Sequence, residues 1–224
     1  MTTGARTSTG LYHFALLVPE RTDLAAWLAH AARDRVGMTG MSDHFVSEAL
    51  YLRDPDYHGI EIYADRPREG WEGRVAQRMT TIPLDVDDLL GELEDPQTEP
   101  WEALPDGTTM GHVHLQVADV PQAVAFYRDV LGFDLVAAIG NQAAFLSAGG
   151  YHHHVGANTW NSAGASPPPA NAAALRRATI VLPDADERDR AAARVADTGI
   201  EPESHDEGVL VRDPSQNALL LTAA

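Results

Sequence analysis

The chain has 224 residues, 44% of them hydrophobic, enough to bury a sizeable core without disulfide or metal staples. Its 33 acidic residues against 16 basic ones, every one an arginine, give a formal net charge of -17, which argues against nucleic-acid or membrane-surface partners. With no cysteine, disulfides, thiolate zinc sites and cysteine nucleophiles are excluded, and any transition metal must be held by carboxylates and the 10 histidines.

The polar start MTTGARTSTG lacks the charged and apolar regions of a signal peptide, and no apolar run reaches the ~18 residues of a membrane span. Residues 1–9 are expected to be disordered, and the expected location is the cytosol. LYHFALLVP then reads as a strand. DLAAWLAHAARDRVG has helical spacing at Leu24, Trp27, Leu28 and Ala31, with a cap near Asp23 and a stop at Gly37. SEALYLRDP and GIEIYAD are extended segments joined by the turn DPDYHG, completing a βαβββ module over residues 10–66. Residues 67–109 form a proline-containing connector with a short amphipathic stretch, PLDVDDLLGELE.

A second module over residues 110–160 repeats the order: GHVHLQVADV, the helix PQAVAFYRDVLG, QAAFLSAGG and YHHHVGANTW. Pro121 suits the first turn of its helix and Gly132 the end. Residues 161–173, NSAGASPPPANAA, are a linker without regular structure. RRATIVLPDA, DERDRAAARVADTG and GVLVRDPSQNALLLT form a third module over residues 174–224. The fold class is α+β. Such modules pair into an incomplete barrel around a cavity, so three leave one without a mate in the chain, and a homodimer is expected.

Four residues of the first module carry chemistry. In GIEIY, strand alternation puts Ile60 and Ile62 on one face and Glu61 on the other, so that Glu61 points into the cavity if the isoleucines face the helix. His13, His44 and Tyr51 lie in the same module. In the second module His112 and His114 alternate with Val113 and Leu115 and share a face. Read as strand, period two sends His152 and His154 to one side and His153 to the other. Singly, each histidine fits a surface or core role; as a set, with a carboxylate nearby, they point to a metal site.

GHVHLQVADVPQAVAFYRDVLGFDLV resembles the opening strand and helix of the vicinal oxygen chelate superfamily, which includes glyoxalase I, bleomycin- and fosfomycin-resistance proteins and type I extradiol dioxygenases. GLYHFALLVP, SDHFVSEALYLRDPDYHGIEIYADRP and SAGGYHHHVGANTW are similar, more narrowly, to catechol 2,3-dioxygenase homologues. The resemblance implies Fe(II), or Mn(II), held by two His and one Glu. His13 and Glu61 match the His and Glu of the two-ligand module, and His112 matches the His of its partner. His44 and Tyr51 match the His and Tyr that contact substrate, and His152 to His154 fall near the catalytic acid–base His.

The implied reaction is opening of a catechol or hydroquinone ring with O2. The chain departs from the family in two respects. Arg177 and Leu220 stand where the third module would carry His and Glu, and only MTTGARTST precedes GLYHF, where a further module is expected. Two other readings stand beside the dioxygenase: a glyoxalase-like isomerase or lyase with His152 or His154 as fourth ligand, and a metal-free binding or resistance protein. Tyr12, Phe45, Tyr151 and Trp160 flank the motifs as pocket walls or core. His30, His58 and His205 read as surface or turn residues.

Overall fold

A computed structural model describes residues 8–224. Of the segment expected to be disordered, residues 1–7 lie outside the described residues, whereas Ser8 and Thr9 are buried and the Thr9 hydroxyl donates to the Ser215 carbonyl at 2.8 Å.

The first module comprises β1 (Gly10–Leu17), α1 (Arg21–Arg33), β2 (Gly40–Asp43), β3 (Ser47–Arg53) and β4 (Gly59–Asp65). After it come a helical turn α2 (Val75–Arg78), the short strand β5 (Ile82–Pro83) and α3 (Val86–Leu90). The second module comprises β6 (Thr109–Gln116), α4 (Val120–Val124), β7 (Asp134–Ile139), β8 (Ala143–Ser147) and β9 (Val155–Asn158). The third comprises β10 (Ala178–Leu182), α5 (Ala185–Asp197), β11 (Glu203–His205), β12 (Gly208–Arg212) and β13 (Ala218–Ala223). All three follow one path: the opening strand lies parallel to the last, so that the strand orders β2-β3-β4-β1, β7-β8-β9-β6 and β11-β12-β13-β10 are equivalent.

The chain divides into two compact units, His13–His112 and Val113–Ala224 together with the segment before His13. In the first unit, α1 buries Leu24, Trp27, Leu28 and Ala31, the one-faced spacing read from the sequence, against Leu50 and Ile62 of the sheet. Its ends differ from expectation. Glu20 is the cap, in a reciprocal box whose Glu20 N–H donates to Asp23 Oδ2 at 2.9 Å, so Asp23 is the third helical residue. The helix stops at Arg33, four residues before Gly37, where Arg35 takes φ 56°.

In the second unit, Asp119 accepts from the Gln122 N–H at 2.8 Å and Pro121 lies in the first turn. From Ala125 to Val130 the helix widens to a π-helical turn before Gly132, at φ 91°, ends it. Phe126 and Tyr127, from that widened turn, enter one core with Leu115 and Leu146 of the second module and Val195, Val211, Leu219 and Leu221 of the third. The Tyr127 hydroxyl donates to Asp213 Oδ2 at 3.1 Å, and Arg194 Nε donates to the Val130 carbonyl at 2.7 Å. The helix side of the third module therefore shares a core with the second module's helix, while its four strands form a sheet of their own.

Candidate metal centre

Two parallel strands of the first unit set the register of the site. On β1 and β4, Ala15 lies opposite Glu61, so His13 and Glu61 come from neighbouring strands two residues out of step. Ile60 and Ile62 pack with α1, which sends the Glu61 carboxylate to the other face. His112, near the start of β6, completes the group. His13 Nε2 lies 3.0 Å and His112 Nε2 3.3 Å from Glu61 Oε2, and the two imidazole nitrogens are 3.2 Å apart.

These three buried residues form the group of metal-binding type found among the described residues. Donors held at ~2.1 Å from an ion and at right angles to one another lie ~3 Å apart, so the spacing fits a small first-row cation with one face of its coordination taken. Burial pushes the Glu61 carboxyl up, but the charge and hydrogen bonds of His112 and His13 outweigh it and hold its pKa well below the ordinary carboxylate value. The carboxylate is thus an anion in a buried place, the condition a cation requires.

His44 and Tyr51 meet in the same unit, with His44 Nε2 2.7 Å from Tyr51 Oη. Facing the other ring nitrogen, the Thr80 carbonyl stands 2.8 Å from His44 Nδ1. A carbonyl only accepts, so the neutral ring carries its proton on Nδ1, and the Tyr51 hydroxyl donates to Nε2. The Tyr51 ring in turn lies 5.9 Å from that of His13.

The three consecutive histidines are not in a strand, since β9 begins at Val155, and the alternation expected of them is corrected. His152 and His153 are both buried with their Nδ1 atoms 2.8 Å apart. His154 turns toward β8, where the Ala148 N–H donates to its Nδ1 at 3.3 Å and Ser147 Oγ lies 3.2 Å away. Burial, and then the charge of His152, lower the His154 pKa from its ordinary value.

Register also fixes what the other modules offer. Gly156 lies opposite His114, two residues after His112, so glycine occupies the second module's counterpart of Glu61. A Cβ there would come within 2.7 Å of the His114 ring. Leu220 lies opposite Thr179, two residues after Arg177, so the third module carries neither His nor Glu at the matching positions.

Among the aromatic residues, Tyr12 packs edge-on to His114 and Trp160 at 5.2 Å, and Tyr151 lies 4.0 Å from the His152 ring. Phe45, at φ 71°, lies under the Arg78 guanidinium at 4.8 Å. His30 stacks on Trp101, His58 faces Asp54, and His205 meets Arg177 and Glu207. Sequence reasoning passed over Tyr63 and Thr80. Tyr63 was findable, being two residues beyond Glu61 and so on its face; Thr80 acts through a main-chain carbonyl, which leaves no trace in residue type.

Residues 109–221 match the Glyoxalase/Bleomycin resistance protein/Dioxygenase superfamily. The chain belongs to that superfamily, and its repeated α+β modules agree with that family's fold. A Bacillus subtilis (strain 168) protein named Catechol-2,3-dioxygenase is 47% identical over 220 residues, covering 96% of this chain and 75% of that one. Among solved structures, a candidate dioxygenase from Bacillus subtilis strain 168 superposes with a TM-score of 0.63 at 13% identity, over 98% of this chain and 63% of that one. Glyoxalase I from Zea mays superposes with a TM-score of 0.55 at 15% identity, over 96% and 68%. At such identities the likeness concerns the fold alone. No helix among the described residues is long and apolar enough to cross a membrane.

Proposed function

We propose that the chain is an extradiol ring-cleavage dioxygenase, an oxidoreductase that opens a catechol or hydroquinone with O2 to a ring-opened semialdehyde. The observation that carries this reading is the convergence of His13, Glu61 and His112 on one buried point. The named activity of the Bacillus relative supports the reaction class. His13, His112 and Glu61 would hold Fe(II), with Mn(II) as the alternative. Such an ion would supply Lewis acidity toward a diol hydroxyl and a meeting place for the diol and O2.

The protein's own groups handle protons and orientation. With Nδ1 committed to the Thr80 carbonyl, His44 keeps Nε2 as an acceptor, and the Tyr51 proton points to it. Tyr51 Oη therefore presents lone pairs to a diol hydroxyl, and a proton taken from that hydroxyl passes by way of Tyr51 to His44 Nε2. His152 and His154 are our further acid–base candidates. Burial, and then the charge of His152, favour the neutral form of His154.

The glyoxalase-like reading needs His152 or His154 as a fourth ligand, and the group of donors that lie within reach of one ion among the described residues is His13, Glu61 and His112. The metal-free reading leaves a buried anionic carboxylate against two imidazoles without a use. The test is Fe(II) loading of the purified chain without air, then addition of catechols or hydroquinones with O2. Coloured ring-cleavage product with O2 uptake is expected, and its absence across the diol panel from a protein carrying one equivalent of Fe(II) overturns the dioxygenase reading. His13→Ala should abolish both product and stoichiometric metal uptake.

A further inference from the structure

His112 comes from a strand whose preceding residue, Gly111, leaves an unusual space. A Cβ at Gly111 would fall 1.9 Å from Tyr63 Oη and 2.6 Å from its Cζ, so the phenol occupies the volume any other residue would fill. The phenol has little room to yield. Tyr63 is fully buried, backed by Ala15 and Ala49, and paired across the sheet with Leu17 and Ala49. Its ring centroid lies 5.1 Å from that of His112 with the planes inclined at 52°. Being two residues after Glu61, Tyr63 stands on the same face of β4 as that carboxylate. One strand thus delivers both a donor of the metal group and the ring that lies against a second donor.

We infer that Tyr63, seated in the space left by Gly111, is a positioning residue that fixes the His112 imidazole toward Glu61 and His13; this rests on the metal-centre reading above. An imidazole donor is useful to an ion only in one ring orientation, and groups that restrain the ring contribute to affinity without touching the metal. The small residues Ala15 and Ala49 behind Tyr63, and Gly111 before it, form a slot matched to a phenol. The slot holds the phenol by shape.

The test is Mn(II) titration of the chelator-stripped full chain, followed by electron paramagnetic resonance, which reports free and bound ion separately. The native chain should bind one equivalent. Tyr63→Leu and Gly111→Ala should each weaken binding about tenfold, while Tyr63→Phe stays within about threefold. Gly111→Ala combined with Tyr63→Leu should bind no more weakly than Tyr63→Leu alone, because the added methyl then has no ring to displace. Melting of each metal-free variant checks folding; should Tyr63→Leu fail to fold, Gly111→Ala against Tyr63→Phe decides. Unchanged Mn(II) affinity in folded Tyr63→Leu or Gly111→Ala overturns the inference while leaving the metal centre standing, as do losses that simply add in the double variant. A native chain that takes up no Mn(II), Fe(II) or other divalent ion overturns the metal-centre reading, and the inference with it.

Discussion

Arg66 grips Asp43 with two short contacts, Nη1 to Oδ1 at 2.6 Å and Nη2 to Oδ2 at 2.8 Å, and also reaches Glu48 Oε1 at 3.0 Å. Partial burial pushes the Asp43 carboxyl up, yet Arg66 and the Phe45 N–H hold it below its ordinary value of 3.8. A lowered native pKa means that the stabilisation is complete above pH 3.8 and is lost as the pH falls through the native value. Asp43→Asn should therefore cost about 1 kcal/mol at pH 7, and the urea midpoints of variant and native chain should converge as the pH falls below 3.8. A gap that persists in acid contradicts this account. At the metal centre the corresponding change is Glu61→Gln, which keeps shape but removes the buried anion. Its divalent-ion affinity should fall by more than about a hundredfold by calorimetric titration, and full retention would count against Glu61 as a ligand.

Parallel pairing of the first and last strands gives each module one matched pair of positions, two residues out of step on neighbouring strands. In the first module these positions hold His13 and Glu61; in the second they hold His112 and Gly156, and in the third Arg177 and Leu220. The periodicity of GIEIY, GHVHLQV and ATIVL was enough to find these strands and their faces. It was not enough for YHHHVGAN, whose histidines precede β9; the His154 main chain bonds to Val113 and Leu146, but the regular strand begins at Val155. Nor did helical spacing reveal the π-helical turn at Ala125–Val130, which turns Phe126 and Tyr127 into the core. Burial along β13 and alternation on β10 yield a stability prediction. Leu219 is fully buried in the shared core and Val181 is 63% exposed, so Leu219→Ala should cost about 2–5 kcal/mol and Val181→Ala less than about 0.5 kcal/mol in denaturant titrations. Similar costs at both positions would show that the core does not continue into the third module.

The second and third modules share a core, so the third does more than extend the chain. Removal of residues 174–224 strips Leu115, Phe126, Tyr127 and Leu146 of the cover given by Val195, Leu219 and Leu221. The shortened chain should bind a hydrophobic dye and lose cooperative melting, whereas a cooperative, dye-silent product would refute the dependence. Because the helix side of the third sheet is covered within the chain, a homodimer formed through this module has to use the opposite face, which presents Val181. Light scattering of the full chain reads this directly: a doubled mass that Val181→Glu abolishes supports that face, and a monomer excludes it.

What the sequence by itself determined is the repeated order of strands and helices, the faces they bury, and a chemistry confined to imidazole and carboxylate. Apolar spacing and turn residues act over a few positions and survive in any one segment read alone. The meeting of Glu61 with His13 and His112 within 3.3 Å, the seating of Tyr63 beside Gly111, and the sharing of one core by two modules were decided by tertiary structure. Each joins residues tens of positions apart, and their distance is set by strand register and packing, which no local pattern encodes.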